Sequence, residues 1–396
     1  MTIMERAGYK IISYRPEYHD QIVGLHQHLW RGDVALRAAY IDWKYVRNPY
    51  LREPHIYLAM DGERVIGIRS FVGAKWQFGS PRQTLVLPLE ADTIIAPDRR
   101  NQGLVSLMLK AAMEDMAEKG YTYVLSLGTI PLLLMSDMKH GWRSVGSLGP
   151  LQFTGAVSER SPKRHSVVTA SAREVLSHVR TLLRKSPLAV AVYRKIRKTG
   201  NATPRGRFDL LDTICDQKSG ELGSHISIAK SPRIAEMVEL KEEIVSDSRI
   251  RHVQDEEYYK WRLENPASDY RYLFWDDSKL KGYLILQTTR FFPHHAVALV
   301  DWCASDDEIC AELILAAIQL THGHDLFTWS ATLSEGERGT FENAGFRPLP
   351  EGSTNNPWIA AACPVRDMPD QEWCLADRRL LDIKNCDFRL LDPRSF

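Results

Sequence analysis

The 396-residue sequence predicts an α+β (α/β) fold built twice in tandem, each copy a mixed, mostly antiparallel sheet flanked by helices. Three observations carry that expectation. Glu90 to Gly120 reads as a strand, a glycine-containing turn and a helix N-terminus. Residues 9 to 157 follow the order strand, helices, three antiparallel strands, helix, strand, helix, strand. That order then recurs from about residue 224.

Taken in order, Tyr9 to Tyr14 alternates like an edge strand and stops at Arg15-Pro16, and a helix is expected from about His19 to Trp30. After Asp42 to Pro49 comes a hairpin, Ile56 to Met60 and Val65 to Val72, whose Asp61-Gly62 turn accepts the positive φ that a tight connection requires. A strand over Thr84 to Ile95 enters the turn. Beyond it Leu104, Leu107, Met108, Ala111, Ala112 and Met116 form one apolar stripe at helical spacing, so this helix has a face to bury. Tyr121 to Leu127 reads as a buried strand, a short helix from Pro131 stops at Gly141-Trp142, and Leu151 to Val157 is expected to close the unit.

The second unit echoes the first. Ile12-Ser13-Tyr14-Arg15-Pro16 is answered by Ile228-Ala229-Lys230-Ser231-Pro232, Trp43-Lys44 with Asn48-Pro49 by Trp261-Arg262 with Asn265-Pro266, and His140-Gly141-Trp142 by Ala344-Gly345-Phe346. The expected organisation is a domain over 1–157, a basic helical connector over 158–221, a second domain over 222–366 and a C-terminal tail over 367–396. Six cysteines without a Cys-x-x-Cys pair read as buried free thiols. The histidines lack a third ligand at metal spacing, so no metal is expected. No apolar run approaches the roughly 18 residues of a spanning helix and the N-terminus lacks a secretory core, which points to the cytoplasm.

The turn itself is a seat for an anion, because the first amides of a helix have no partner within it and the helix dipole is positive there. The run Arg100-Asn101-Gln102-Gly103-Leu104-Val105, led by Ile95-Ala96-Pro97-Asp98-Arg99 and followed later by Lys139-His140-Gly141-Trp142, resembles the acyl-CoA-binding motif of the GCN5-related N-acetyltransferase (GNAT) superfamily. The tandem layout is similar to that of Eis-type acetyltransferases. The resemblance implies two tandem GNAT-fold domains, with acetyl-CoA as co-substrate. Ile94, Ile95 and Ala96 would meet the pantetheine at a splayed strand pair, and Arg99, Arg100, Asn101, Gln102, Gly103, Leu104, Val105 and Ser106 would hold the pyrophosphate. The equivalent second turn, Ala304-Ser305-Asp306-Asp307-Glu308-Ile309, places three carboxylates at its helix start and would repel a phosphate, so the second domain is expected to lack a CoA site.

Acetyl transfer to an amine needs a base for the ammonium and an acid for the leaving thiolate. Glu90 and Asp92 are two apart and are expected on one face of their strand, where either serves as base or, alternatively, as a structurally paired carboxylate. The family's tyrosine acid, four residues before the Gly-aromatic pair, is replaced by Asp137 after Ser136, leaving Ser136, Asp137 or water for that role. Trp30, Trp43 and Tyr45, with Tyr40, fall where the family binds acceptors; core packing is the alternative. The implied activity is transfer of acetyl to a primary amine of a small molecule, such as an amino sugar or an antibiotic or polysaccharide intermediate. Its competitors are a non-catalytic CoA-binding regulator and an acyltransferase fed by a carrier protein or aminoacyl-tRNA. The net charge of +1 hides thirteen Lys and Arg against Glu159 and Glu174 between residues 159 and 207, an excess of +11. That stretch suits solvent, CoA phosphates or an acidic carrier protein, or an anionic membrane surface. Nucleic acid comes last, since no base-reading motif accompanies the charge.

Overall fold

The computed structural model describes residues 2–6, 8–29, 33–129, 131–155, 211, 222, 224–245, 247–288, 297–321, 324–349 and 359–392. Of the connector only Leu211 is among them, so its expected helices and its charge lie outside the described residues.

The first half supplies β1 (Thr2–Arg6), β2 (Tyr9–Ser13), α1 (His19–His26), α2 (Val34–Ile41), β3 (His55–Asp61), β4 (Arg64–Phe78), β5 (Gln83–Ile95), α3 (Leu104–Glu118), β6 (Tyr123–Thr129), α4 (Pro131–Met138), β7 (Arg143–Ser147) and β8 (Pro150–Phe153). Asp33 starts α2 by accepting a hydrogen bond from Leu36 N at 2.8 Å, and the helix runs on into a π-helical turn, Asp42–Val46. The second half repeats the plan with β9 (Ile226–Ala229), α5 (Ile234–Ile244), β10 (Ile250–His252), α6 (Glu256–Arg262), β11 (Asp269–Asp277), β12 (Lys279–Thr288), β13 (Val297–Ala304), α7 (Asp307–Leu320), β14 (Leu326–Trp329), α8 (Glu335–Asn343), β15 (Arg347–Pro348) and β16 (Ile359–Pro364). Two mixed, mostly antiparallel sheets with flanking helices result.

The expected closure of each unit by its own last strand is not how the sheets are built. The first sheet runs β1-β2-β3-β4-β5-β6-β16-β7, and the second runs β15-β8-β14-β13-β12-β11-β9. Each half therefore donates its last strand to the interior of the other sheet. The chain leaves the first sheet at Gly149, whose φ of +58° and whose close packing against Ser330 and Ala331 would strain and crowd any side chain. Ser330 N and Oγ both donate to Gly149 O, at 2.8 and 2.6 Å, fixing the crossing on the second half. In return Ala360, Ala361 and Ala362 pass between β6 and β7.

The seam carries a matched contact. Trp43 and Trp261, equivalent by repeat, stack at 5.3 Å and 14°; Trp43 Nε1 donates to Trp261 O at 2.6 Å and Trp261 Nε1 donates to Trp43 O at 2.8 Å. Such reciprocity is the signature of an approximate two-fold relation between two like surfaces. The expected tail is part of this seam too. Trp373, Leu380, Cys386, Phe388, Leu390 and Leu391 are buried in a core shared by both halves, the short strand Cys386–Asp387 lies parallel to β10, and Leu391 N donates to Val300 O at 2.9 Å.

Candidate functional site

The turn before α3 has the geometry of an anion seat. Gly103 sits at φ +75° as the N-cap residue; among the described residues nothing lies within 4 Å of where a Cβ would be, and no side chain caps the helix. Asn101 is also left-handed, at φ +64°. Arg100 is exposed, its Nε donating to Ile95 O at 3.3 Å. Arg99 is partly committed elsewhere, since its Nη2 pairs with Asp61 at 2.8 Å. Gln102 accepts from Tyr9 Oη at 2.5 Å, and Ser106 Oγ lies 2.9 Å from His140 Nε2. Leu104 is buried while Val105 is half-buried. The second half's seat is filled by its own chain: Asp306 caps α7, accepting from Ile309 N at 2.9 Å.

Beside that seat the sheet opens. Among the described residues β5 and β6, which are parallel, pair only at Leu89 with Leu125, and the backbone of β5 beyond Leu89 has no ladder partner on that side. Its other edge is occupied; Ala96 N, for example, donates to Ile66 O at 2.8 Å. Ile94, Ile95 and Ala96 thus line a gap between parting strands, with the α3 turn at its far end.

The two carboxylates on β5 are not on one face. Phe71 pairs with Glu90 and Arg69 with Thr93, so Ser70 alone opposes Ala91 and Asp92, and this β-bulge turns the chain between them. Asp92 faces α1 and α2. Its Oδ2 accepts from Tyr45 Oη at 2.6 Å and Lys44 Nζ at 3.3 Å and lies 3.4 Å from His26 Nε2, and Ser70 Oγ bonds both its backbone and Tyr45. Burial alone would raise this carboxyl, but Lys44, His26 and Tyr45 outweigh it and hold it well below the usual range. Asp92 is therefore a sequestered anion at 2% exposure, a poor base. The same device recurs at Asp301, also at a bulge, bonded by Tyr259, Tyr283 and Lys241 at 2.6, 3.0 and 3.0 Å.

Glu90 faces the other way, and its partner is a residue the sequence reading passed over. Arg69, fully buried on β4, donates from Nη2 to Glu90 Oε1 at 2.5 Å and to Asp137 Oδ1 at 3.3 Å, so one cation joins the strand carboxylate to the one on α4. Burial first, then the Glu90 charge, push the Asp137 carboxyl up to about 7, with Arg69 opposing both. At neutral pH this site can accept and return a proton. Ser136, next to Asp137 on α4, has no described side chain.

The described residues expected to bind the acceptor are buried. Trp43 is 1% exposed in the seam, Tyr45 is 2% exposed in the Asp92 network, and Tyr40 accepts from Lys44 Nζ at 2.9 Å. Trp30 lies outside the described residues. No cluster of three metal ligands occurs among the described residues, and no described helix is long and apolar enough to cross a membrane.

Two like units exchange their last strands, and one of them has an uncapped helix N-terminus over a parting strand pair. No family model and no curated protein matches the chain. Among solved structures it is similar to a probable N-acyltransferase of unknown function from Enterococcus faecalis V583, at 9% identity and a TM-score of 0.54 over 90% of this chain and 72% of that one. It is similar to the same degree, 9% identity and 0.54, to Saccharomyces cerevisiae N-myristoyltransferase solved with bound myristoyl-CoA, over 91% and 79% of the two chains. A tandem GNAT protein from the clavulanic acid biosynthesis pathway aligns at 12% identity and 0.48, over 91% of this chain and 100% of its own. At 9% identity the likeness to the first two is one of fold.

Proposed function

We propose that the protein is an acyl-CoA-dependent N-acyltransferase whose first half holds the donor and whose acceptor is a primary amine on a small molecule. The observation that carries this reading is the contrast between two equivalent helix starts. α3 begins at a bare left-handed glycine beside a strand gap, whereas α7 begins at an aspartate that fills its own N-terminus. Free amides and Arg100 suit the CoA pyrophosphate, and the open edge of β5 suits the amides of pantetheine.

In this reading the amine nitrogen attacks the thioester carbonyl, the new N–C bond forms and the C–S bond breaks. Glu90 takes the amine's proton, directly or through water, and Asp137 supplies one to the leaving thiolate. Arg69 holds both carboxyls in place. Trp43 and Tyr45, both buried, give no reason of their own to prefer an amino sugar over other amines.

Titration calorimetry with acetyl-CoA and desulfo-CoA tests the donor seat. Arg100→Ala combined with Gly103→Glu is expected to abolish binding, and binding that survives both changes would sink the assignment. Thiol release across a panel of amines then separates an enzyme from a protein that only binds CoA.

A further inference from the structure

Arg69 is fully buried, yet only one of its three nitrogens is used. Nη2 serves Glu90 and Asp137, while Nε and Nη1 have no hydrogen-bond partner among the described residues. Thr93 Oγ1, also buried, has none either. These two residues are directly paired across the β4–β5 ladder, so their side chains rise on the same face about 5 Å apart at Cβ. That face is the one α3 covers: a Cβ at Gly67, two residues before Arg69, would meet both Ile95 Cδ1 and Met108 Cε. Thr93 also lies beyond Leu89, where β5 has parted from β6. An unsatisfied polar pair thus stands on the α3 face of the β4–β5 ladder, beside the stretch where β5 has parted from β6.

Buried donors without partners are costly and uncommon, and a plain aliphatic acyl group would leave all three atoms unpaired. The charge balance restricts what fills the place. Glu90 already matches Arg69, and the Asp137 carboxyl stands beside them. A further carboxylate would crowd three acids around one cation. Arg69 can only donate, whereas the Thr93 hydroxyl can also accept, a combination that a ligand hydroxyl answers by accepting from one and donating to the other.

We propose that the donor acyl chain carries an uncharged oxygen, a hydroxyl above all, a short distance beyond the thioester, and that Arg69 and Thr93 receive it. The inference rests on the donor reading above.

The test is binding of six probes to the full chain by calorimetry: desulfo-CoA and the acetyl, butyryl, β-hydroxybutyryl (both enantiomers) and succinyl thioesters of CoA. One β-hydroxybutyryl enantiomer is expected to bind about tenfold or more tighter than butyryl. That ratio should fall to near one in Thr93→Val, which keeps the shape, and in Arg69→Lys, which keeps a charge for Glu90. Equal affinity for the butyryl and β-hydroxybutyryl thioesters would mean the place holds a water only, and would overturn the proposal while leaving the donor reading intact. Tightest binding of succinyl-CoA would overturn the uncharged class. Failure of desulfo-CoA and every thioester to bind would overturn both readings.

Discussion

At the scale of residues, Glu90 and Asp92 show how one extra residue in a strand divides two carboxylates between opposite roles. Asp92 neutralises a lysine in the interior, and removing one partner of a buried pair strands the other. Asp92→Asn should therefore cost about 3–5 kcal/mol in a denaturant titration, far more than loss of a surface charge. Because the folded state holds this carboxyl below its ordinary value of 3.8, its contribution is present above that pH and lost as pH falls through the folded value. Asp137 has the opposite sign. Its folded pKa is raised from 3.8 to about 7, so the folded state binds more protons between those values. Stability should fall as pH rises from about 4 to about 7 and then level off. Denaturation curves across that range should show the slope in the native protein and a flatter profile in Asp137→Asn. The bulge that separates these fates could not be read from the sequence, since spacing by two ordinarily means one face. Arg69 could have been, because a lone cation in the apolar run Ile66 to Val72 must find partners inside.

At the scale of elements, α3 and α7 are the same helix under different first residues. Gly103 adopts a conformation that costs other residues about 1–2 kcal/mol, yet a methyl group there would touch nothing. Gly103→Ala should lower stability by about that amount while CoA affinity, followed by the same calorimetry, changes much less than in Gly103→Glu. A seat that depends on backbone amides tolerates a small side chain and rejects a charge that competes for them. This turn was legible in the sequence because the position needs a residue without a Cβ and the following stripe fixes the helix face. Strand order was not. β8 and β16 have ordinary alternating patterns, and a strand's own residues do not say which sheet will take it.

At the scale of the whole molecule, the halves are joined by more than a linker. Trp43 and Trp261 each fill a site made partly by the other, and truncating either to alanine should cost about 3–5 kcal/mol. A double-mutant cycle should give a coupling of about 0.5–3 kcal/mol, since the second substitution removes a contact the first has already broken; strict additivity would mean the stack contributes nothing of its own. Here the sequence echo was visible, but its meaning was not. Two aromatic residues at equivalent repeat positions can line a pocket or meet on an axis, and only the assembled fold distinguishes the two.

The exchange of β8 and β16 has a genetic consequence. A nonsense mutation anywhere before codon 359 removes the strand that stands between β6 and β7, in the interior of the first sheet rather than at its rim. The half with the anion seat is thus as vulnerable to downstream truncation as the half being truncated. A second unit whose own helix start is filled by Asp306 is therefore still required to complete the sheet of the first.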